Sequence, residues 1–158
     1  MIASLSREIV KVEAEIDALM ARDDLAAQAQ LLMSMPGLGP VGAVTLLSDL
    51  PELGTLCRRG ISSLGGLAPI ARDSGHRKGV RRIGKGRPVV RSALYITAMH
   101  ATRRDETFMA KRQAFEKRGH TPKQAICAFA RNQLVILNAM VKSGRAHDPD
   151  YAAKLLAS

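Results

Sequence analysis

The chain is 158 residues long, 46% hydrophobic and only 3% aromatic, with 24 Lys and Arg against 14 Asp and Glu, giving a formal charge of +10 and a pI near 10.3. That is enough apolar content to fill the core of one ordinary domain, and enough surplus positive charge to require a polyanionic partner, whether nucleic acid, an anionic membrane surface or an acidic protein. It excludes a membrane-spanning protein, because no apolar run approaches the ~18 residues of a span. The opening "MIASLSREIVKVEAEIDALM" carries Glu and Asp through what would be the apolar centre of a signal peptide; the chain is expected to be soluble and intracellular.

Ile2, Leu5, Ile9, Val12, Ile16 and Leu19 recur at alternating steps of three and four, which lines one stripe of a helix at heptad spacing. This predicts an amphipathic arm over 1–30, serving either as a seam in the core or in pairing with a second chain. Asp23 and Asp24 interrupt the pattern before a second helix through Leu31, Leu32 and Met35.

That helix is expected to stop at "MPGLGPVGAVTLLSDL", where Pro36 disfavours helix at the residue before it and Gly37 and Gly39 allow a tight turn. Pro40 then suits the first turn of a new helix. Residues 31–50 thus resemble a helix-hairpin-helix motif, whose glycine turn leaves N–H groups at a helix N-terminus free to take a phosphate. An ordinary corner between two helices has the same pattern; the basic charge favours phosphate.

Leu56, Ile61, Leu64 and Leu67 predict a short helix broken at Gly65 and Gly66 and followed by a loop. The segment "PVVRSALYITAMHATRR" is apolar around most of its circumference and is expected to be the central buried helix. A Lys- and Arg-rich polar stretch leads to Gly119. Thr121 as N-cap and Pro122 as first residue then open a helix with the core stripe Ile126, Ala130, Leu134, Leu137 and Val141, closed by Gly144. Residues 144–158 read as a loosely attached tail. Strand signals are weak, with "GVRRIGKGRP" the only plausible short hairpin. The fold class is therefore mainly α, five or six helices carrying an arm, a helix-hairpin-helix-like motif and a basic glycine-rich loop over 71–91 in a domain spanning 31–143. Cys57 and Cys127 lie far apart with no CxxC or clustered His, and are expected to be reduced, buried thiols rather than zinc ligands or a disulfide.

The loop "ARDSGHRKGVRRIGKGRPVVRSALY" concentrates Arg72, Arg77, Lys78, Arg81, Arg82, Lys85, Arg87 and Arg91 around one acid, Asp73. Glycines let a backbone approach a ligand, and Arg offers the bidentate fork that phosphate oxygens accept, so these eight residues with Gly37 and Gly39 are the candidate phosphate-binding set. Each phosphate neutralised on duplex DNA should cost roughly 0.9 log unit of affinity per log unit of salt. The acids beyond Leu50 are scattered or adjacent in polar stretches, so no self-contained Mg²⁺ site is visible. The hydroxyl of Ser74, surrounded by guanidinium groups, has the surroundings to attack a phosphodiester, although a serine in a polar loop equally serves as a turn residue.

The succession of the glycine hairpin, the "GLAP" segment, the Ser74-Gly75 step and the run from Gly86 to Tyr95 closely resembles the C-terminal transposase domain of the insertion-sequence 110/116/902 family, from about Leu31 to Val141. The resemblance implies that Ser74 is the catalytic nucleophile joining a DNA 5′ phosphate in strand exchange, with DNA and a structured guide RNA as partners and a nucleoid-associated place in the cytoplasm. Two departures stand out. Asp73 occupies the place where the family usually has a second serine, and the RuvC-like domain whose carboxylates would bind Mg²⁺ is not in this sequence, so no cofactor is expected in this chain. The chain accordingly reads as a fragment or truncation of such a recombinase, paired with a second copy through the arm. The competing reading is a non-catalytic nucleic-acid-binding module in which Ser74 only shapes a turn; a coiled-coil interaction protein would account for the arm alone. At 3% aromatic residues, base stacking is not expected as the main mode of recognition.

Overall fold

Proline at the first turn and glycine past the last turn divide the chain into helices of moderate length. The computed structural model describes residues 2–20, 23–70 and 82–151. Among them are α1 (Ile2–Met20), α2 (Asp23–Met33), α3 (Pro40–Asp49), α4 (Arg58–Leu64), the two-residue strands β1 (Pro69–Ile70) and β2 (Arg82–Ile83), α5 (Pro88–Arg104), α6 (Glu106–Lys117) and α7 (Pro122–Ser143). The fold is mainly α, as its sequence predicts, and α2 runs across the expected arm boundary at residue 30.

The longest helix, α7, is specified by its ends. The Thr121 hydroxyl accepts from Gln124 N while the Gln124 side chain accepts from Thr121 N, a complete capping box, with Pro122 in the first turn and Gly144 left-handed at φ 65° beyond the last. Ile126, Ala130, Leu134 and Leu137 are buried as predicted, with Val141 packed beside them. Leu94, Ala98 and Ala101 of α5, Ala43 and Leu46 of α3, Leu32 of α2 and Ile61 of α4 complete one core. Each buried leucine contributes about 1.5–3 kcal/mol. The connection from α3 to α4 is tied to this core by one amide: Asn138 Oδ1 accepts from Gly54 N at 2.9 Å and its Nδ2 donates to Leu56 O at 2.9 Å.

Several expectations are corrected. The polar stretch after α5 is a helix, α6, started by Asp105, whose carboxylate accepts from Phe108 N. Ile83 pairs with Pro69 and Arg82 with Ile70, so the strand pair joins 69–70 to 82–83 and is not a hairpin within 79–88. Helix α5 is central, packing on α3, α6 and α7, yet it leaves Val89 and Ile96 about half exposed and is not buried all round. The start of the tail is attached, since His147 N donates to Ser34 Oγ at 2.9 Å. Neither cysteine is buried: Cys57 is exposed, its Sγ accepting from Gly60 N to cap α4, and Cys127 is half-buried, which pushes its thiol pKa up. On α1, Leu5, Ile9 and Val12 are exposed and Ile16 half-buried, so these positions are not a seam of this chain's core.

Candidate nucleic-acid interface

Ser74, Arg72, Arg77, Lys78 and Arg81 lie outside the described residues. The two ends of the segment that holds them are described, because Ile70 and Arg82 are paired in the β1–β2 ladder. The seat of that ladder is fixed from four directions. Arg87 N donates to Leu64 O at 2.9 Å, and the Arg87 guanidinium grips Glu52 with both nitrogens, at 2.5 and 2.6 Å, while also donating to Asp49 O at 2.9 Å. Arg91 Nη1 donates to Lys85 O at 2.9 Å, holding Lys85 in its left-handed conformation at φ 57°. Arg87 and Arg91, read from the sequence as phosphate ligands, are thus engaged in holding the loop base, whereas Arg82 and Lys85 are exposed.

The hydrogen bonds from Arg87 hold the Glu52 carboxyl below its ordinary value of 4.5 and raise Arg87 in turn. A depressed carboxyl pKa stabilises the fold above the ordinary value and loses that contribution as pH falls through the folded-state value. Thermal melts taken through the acid range should therefore fall more steeply for the wild type than for Glu52→Gln, which starts lower at neutral pH. Parallel profiles would contradict this role for the pair.

Gly37 and Gly39 sit at the other end of α3. Pro40 occupies its first turn, Gly39 is an N-cap without a side-chain cap, and Gly39, Val41 and Gly42 line an opening of about 590 Å³ between α3 and α5 that is bordered by Val89, Ile96 and His100. A helix of 10 residues is about 15 Å long. The glycine hairpin and the Arg87 seat accordingly lie near opposite ends of α3, about 15 Å apart along it.

The sequence reading passed over a third surface. Lys123, Cys127 and Arg131 follow at four-residue steps on the outer face of α7 and, with Arg82 and Ile83 of β2, line a groove of about 830 Å³. A smaller cavity of about 200 Å³ shares Phe115 and Asn132 with that groove and is bordered further by Phe108, Phe129, Lys111, Arg118 and His147. Lys111 Nζ lies 5.4 Å from the Phe108 ring centre and Arg118 Cζ 4.7 Å from that of Phe115. Burial pushes the His147 pKa down, against the opposing pull of Asp148. The periodic cations of α7 were the available signal for this surface. Among the described residues no three His, Cys, Asp or Glu side chains gather to hold a metal ion, and no helix is long and apolar enough to cross a membrane.

Residues 29–113, from α2 through most of α6, match the family described as Transposase IS116/IS110/IS902. The chain is 29% identical over 94% of its length to an insertion element IS900 uncharacterized 42 kDa protein of Mycobacterium paratuberculosis, covering 39% of that protein. It is 33% identical over 92% of its length to an insertion element IS116 uncharacterized 44.8 kDa protein of Streptomyces clavuligerus, covering 36%. An insertion element IS110 uncharacterized 43.6 kDa protein of Streptomyces coelicolor is similar at 30% identity over 87% of the chain and 34% of the relative. The chain thus spans little more than a third of the length of these curated relatives.

Proposed function

The chain belongs to the IS116/IS110/IS902 transposase family, and from that premise we propose that it is the serine-bearing, DNA-handling domain of an insertion-sequence transposase, acting in DNA transposition. One observation carries the reading: the family match spans both the glycine hairpin and the entire basic segment around Ser74. The anchored ends of that segment support it, because a nucleophile must be delivered to a scissile phosphate from a fixed base to gain from proximity.

In the proposed step, Ser74 Oγ attacks a backbone phosphorus, an Oγ–P bond forms and the P–O3′ bond breaks. The 5′ phosphate is left on the protein, and the proton lost by the serine ends on the departing 3′ oxygen. Arg72, Arg77, Lys78 and Arg81, with Arg82 and Lys85, stabilise the charge that develops on the phosphoryl oxygens. Arg87 and Arg91 act as positioning residues through the loop base. The glycine hairpin at one end of α3 and the exposed Lys85 beside the loop base near the other suit a duplex whose backbone runs along that helix.

The test is the covalent protein–DNA species, read on a denaturing gel with the protein carrying this domain at its native length and DNA bearing the ends of its element. Ser74→Ala is expected to abolish the adduct while leaving salt-dependent DNA binding intact. An adduct that persists in that variant removes Ser74 as nucleophile, and binding insensitive to salt removes the phosphate clamp.

A further inference from the structure

The basic face of α7 and the aromatic cavity behind it share a wall, and apart from Arg82 their cations are not among the residues proposed for the serine step. The groove presents Arg82, Lys123 and Arg131, and among the described residues no Asp or Glu lines it. The single acid at the cavity, Asp105, is turned to its own helix as the cap of α6. Whatever fills this surface is therefore negatively charged where it crosses the groove.

The cavity adds a second requirement. All three phenylalanines of the chain border it, with the rings of Phe108 and Phe129 4.8 Å apart, and cations lie over two of the rings. A cavity of about 150 Å³ lined by apolar side chains takes a benzene molecule; at about 200 Å³ this one takes a single flat ring of nucleobase size. Asn132 at its border can donate and accept a hydrogen bond, and the ring nitrogens of His147 lie beside it for a base edge. A phosphate chain outside with one ring inside describes a nucleotide that is unstacked from its neighbours, which a duplex does not offer.

We propose that the α7 groove and its phenylalanine cavity bind a single-stranded nucleic-acid segment, with one unstacked base inserted beside Phe115 and its flanking phosphates on Lys123 and Arg131. The inference rests on the nucleic-acid reading above. It also fits the scarcity of aromatics: three rings suffice for one base, and only Tyr95 and Tyr151 remain outside the cavity lining.

The experiment titrates residues 1–158 with a fluorescein-labelled oligothymidylate of about twelve residues, within the usual range of site sizes, and with the same strand in which abasic residues replace the thymidines. A duplex of equal length and an oligoglutamate peptide are run beside them. The oligothymidylate should bind at least about 5-fold more tightly than the abasic strand, the effect of stacking one base. Phe115→Ala should erase that preference and keep the affinity for the abasic strand. Lys123→Gln and Arg131→Gln should weaken both strands together and each lower the salt slope by about 0.7. Equal affinity for the two strands in the wild type overturns the proposal without recourse to any variant, as does preference for the duplex or for the peptide. Duplex binding with a salt slope but no base preference removes this inference alone, whereas failure to bind any nucleic acid at about 50 mM salt removes the proposed function with it.

Discussion

Replacing Gly37 with alanine is expected to destabilise the chain by roughly 2–5 kcal/mol, a loss of about 4–20 °C in Tm for a domain of this size. Gly37 has φ 86°, a conformation that costs an L-residue about 1–2 kcal/mol. An added Cβ would stand 2.7 Å from Thr97 O and 2.8 Å from Ala101 N and Cβ. Those atoms belong to the backbone and first carbon of α5, which α7 holds from its other side, so they cannot give way without shifting the packing of α3 on α5. Overpacking of that kind costs about 1–3 kcal/mol. Gly39, two residues on, has φ −96° and nothing within 4 Å of an added Cβ, and Gly39→Ala should cost about 0.5–1 kcal/mol as a poorer N-cap. Equal Tm losses in the two variants would refute the account. The pair also separates the two meanings of the glycine turn: Gly37 is required by the fold, whereas Gly39 lines an opening with free space around it.

What the sequence made legible follows the range over which each interaction acts. Helix α7 was readable to its ends because Thr121, Pro122 and Gly144 act within a turn of where they stand, and α3 was readable because Pro36 and Pro40 bracket its start. Helix α6 was not, because only Phe108, Met109 and Phe115 interrupt its charged run, too few to show a stripe; its start signal, Asp105 three residues before Phe108, was present but unsupported. The strand pair escaped because Ile70 and Arg82 meet across the whole basic segment, and two residues per strand leave no alternation to read. Arg87 was assigned by its surroundings in the chain to phosphate, while its partner Glu52 is 35 residues away, beyond what local spacing reveals. The groove on α7 was half legible: Lys123 and Arg131 share a helical face, but Phe115 is brought to it, and Phe108 to the cavity behind it, only by the folding of α6 onto α7.

Gly86→Ala should act on the loop base with an effect of similar size and a different signature. Gly86 has φ 61°, and an added Cβ would collide with Leu64 O while standing 2.5 Å from Gly66 N and 2.7 Å from Gly66 Cα. All three are backbone atoms in the tight passage where the chain after β2 crosses the end of α4, so the strain of about 1–2 kcal/mol in φ is joined by an overlap that only displacement relieves. Displacement at Gly86 withdraws Arg87 N from Leu64 O and the Arg87 fork from Glu52, the contacts that fix where the serine-bearing segment starts and ends. A double-mutant cycle with Glu52→Gln reads this directly: once the seat has moved the ion pair is already lost, so the double variant should be less destabilised than the sum of the singles. Strict additivity would mean that Gly86 and the pair act on separate structures. Adduct formation at native length should also fall much further in Gly86→Ala than in Gly37→Ala when both are assayed at a temperature where each remains folded. Of the two glycines, only Gly86 adjoins Arg87, whose contacts hold the described end of the segment that contains Ser74.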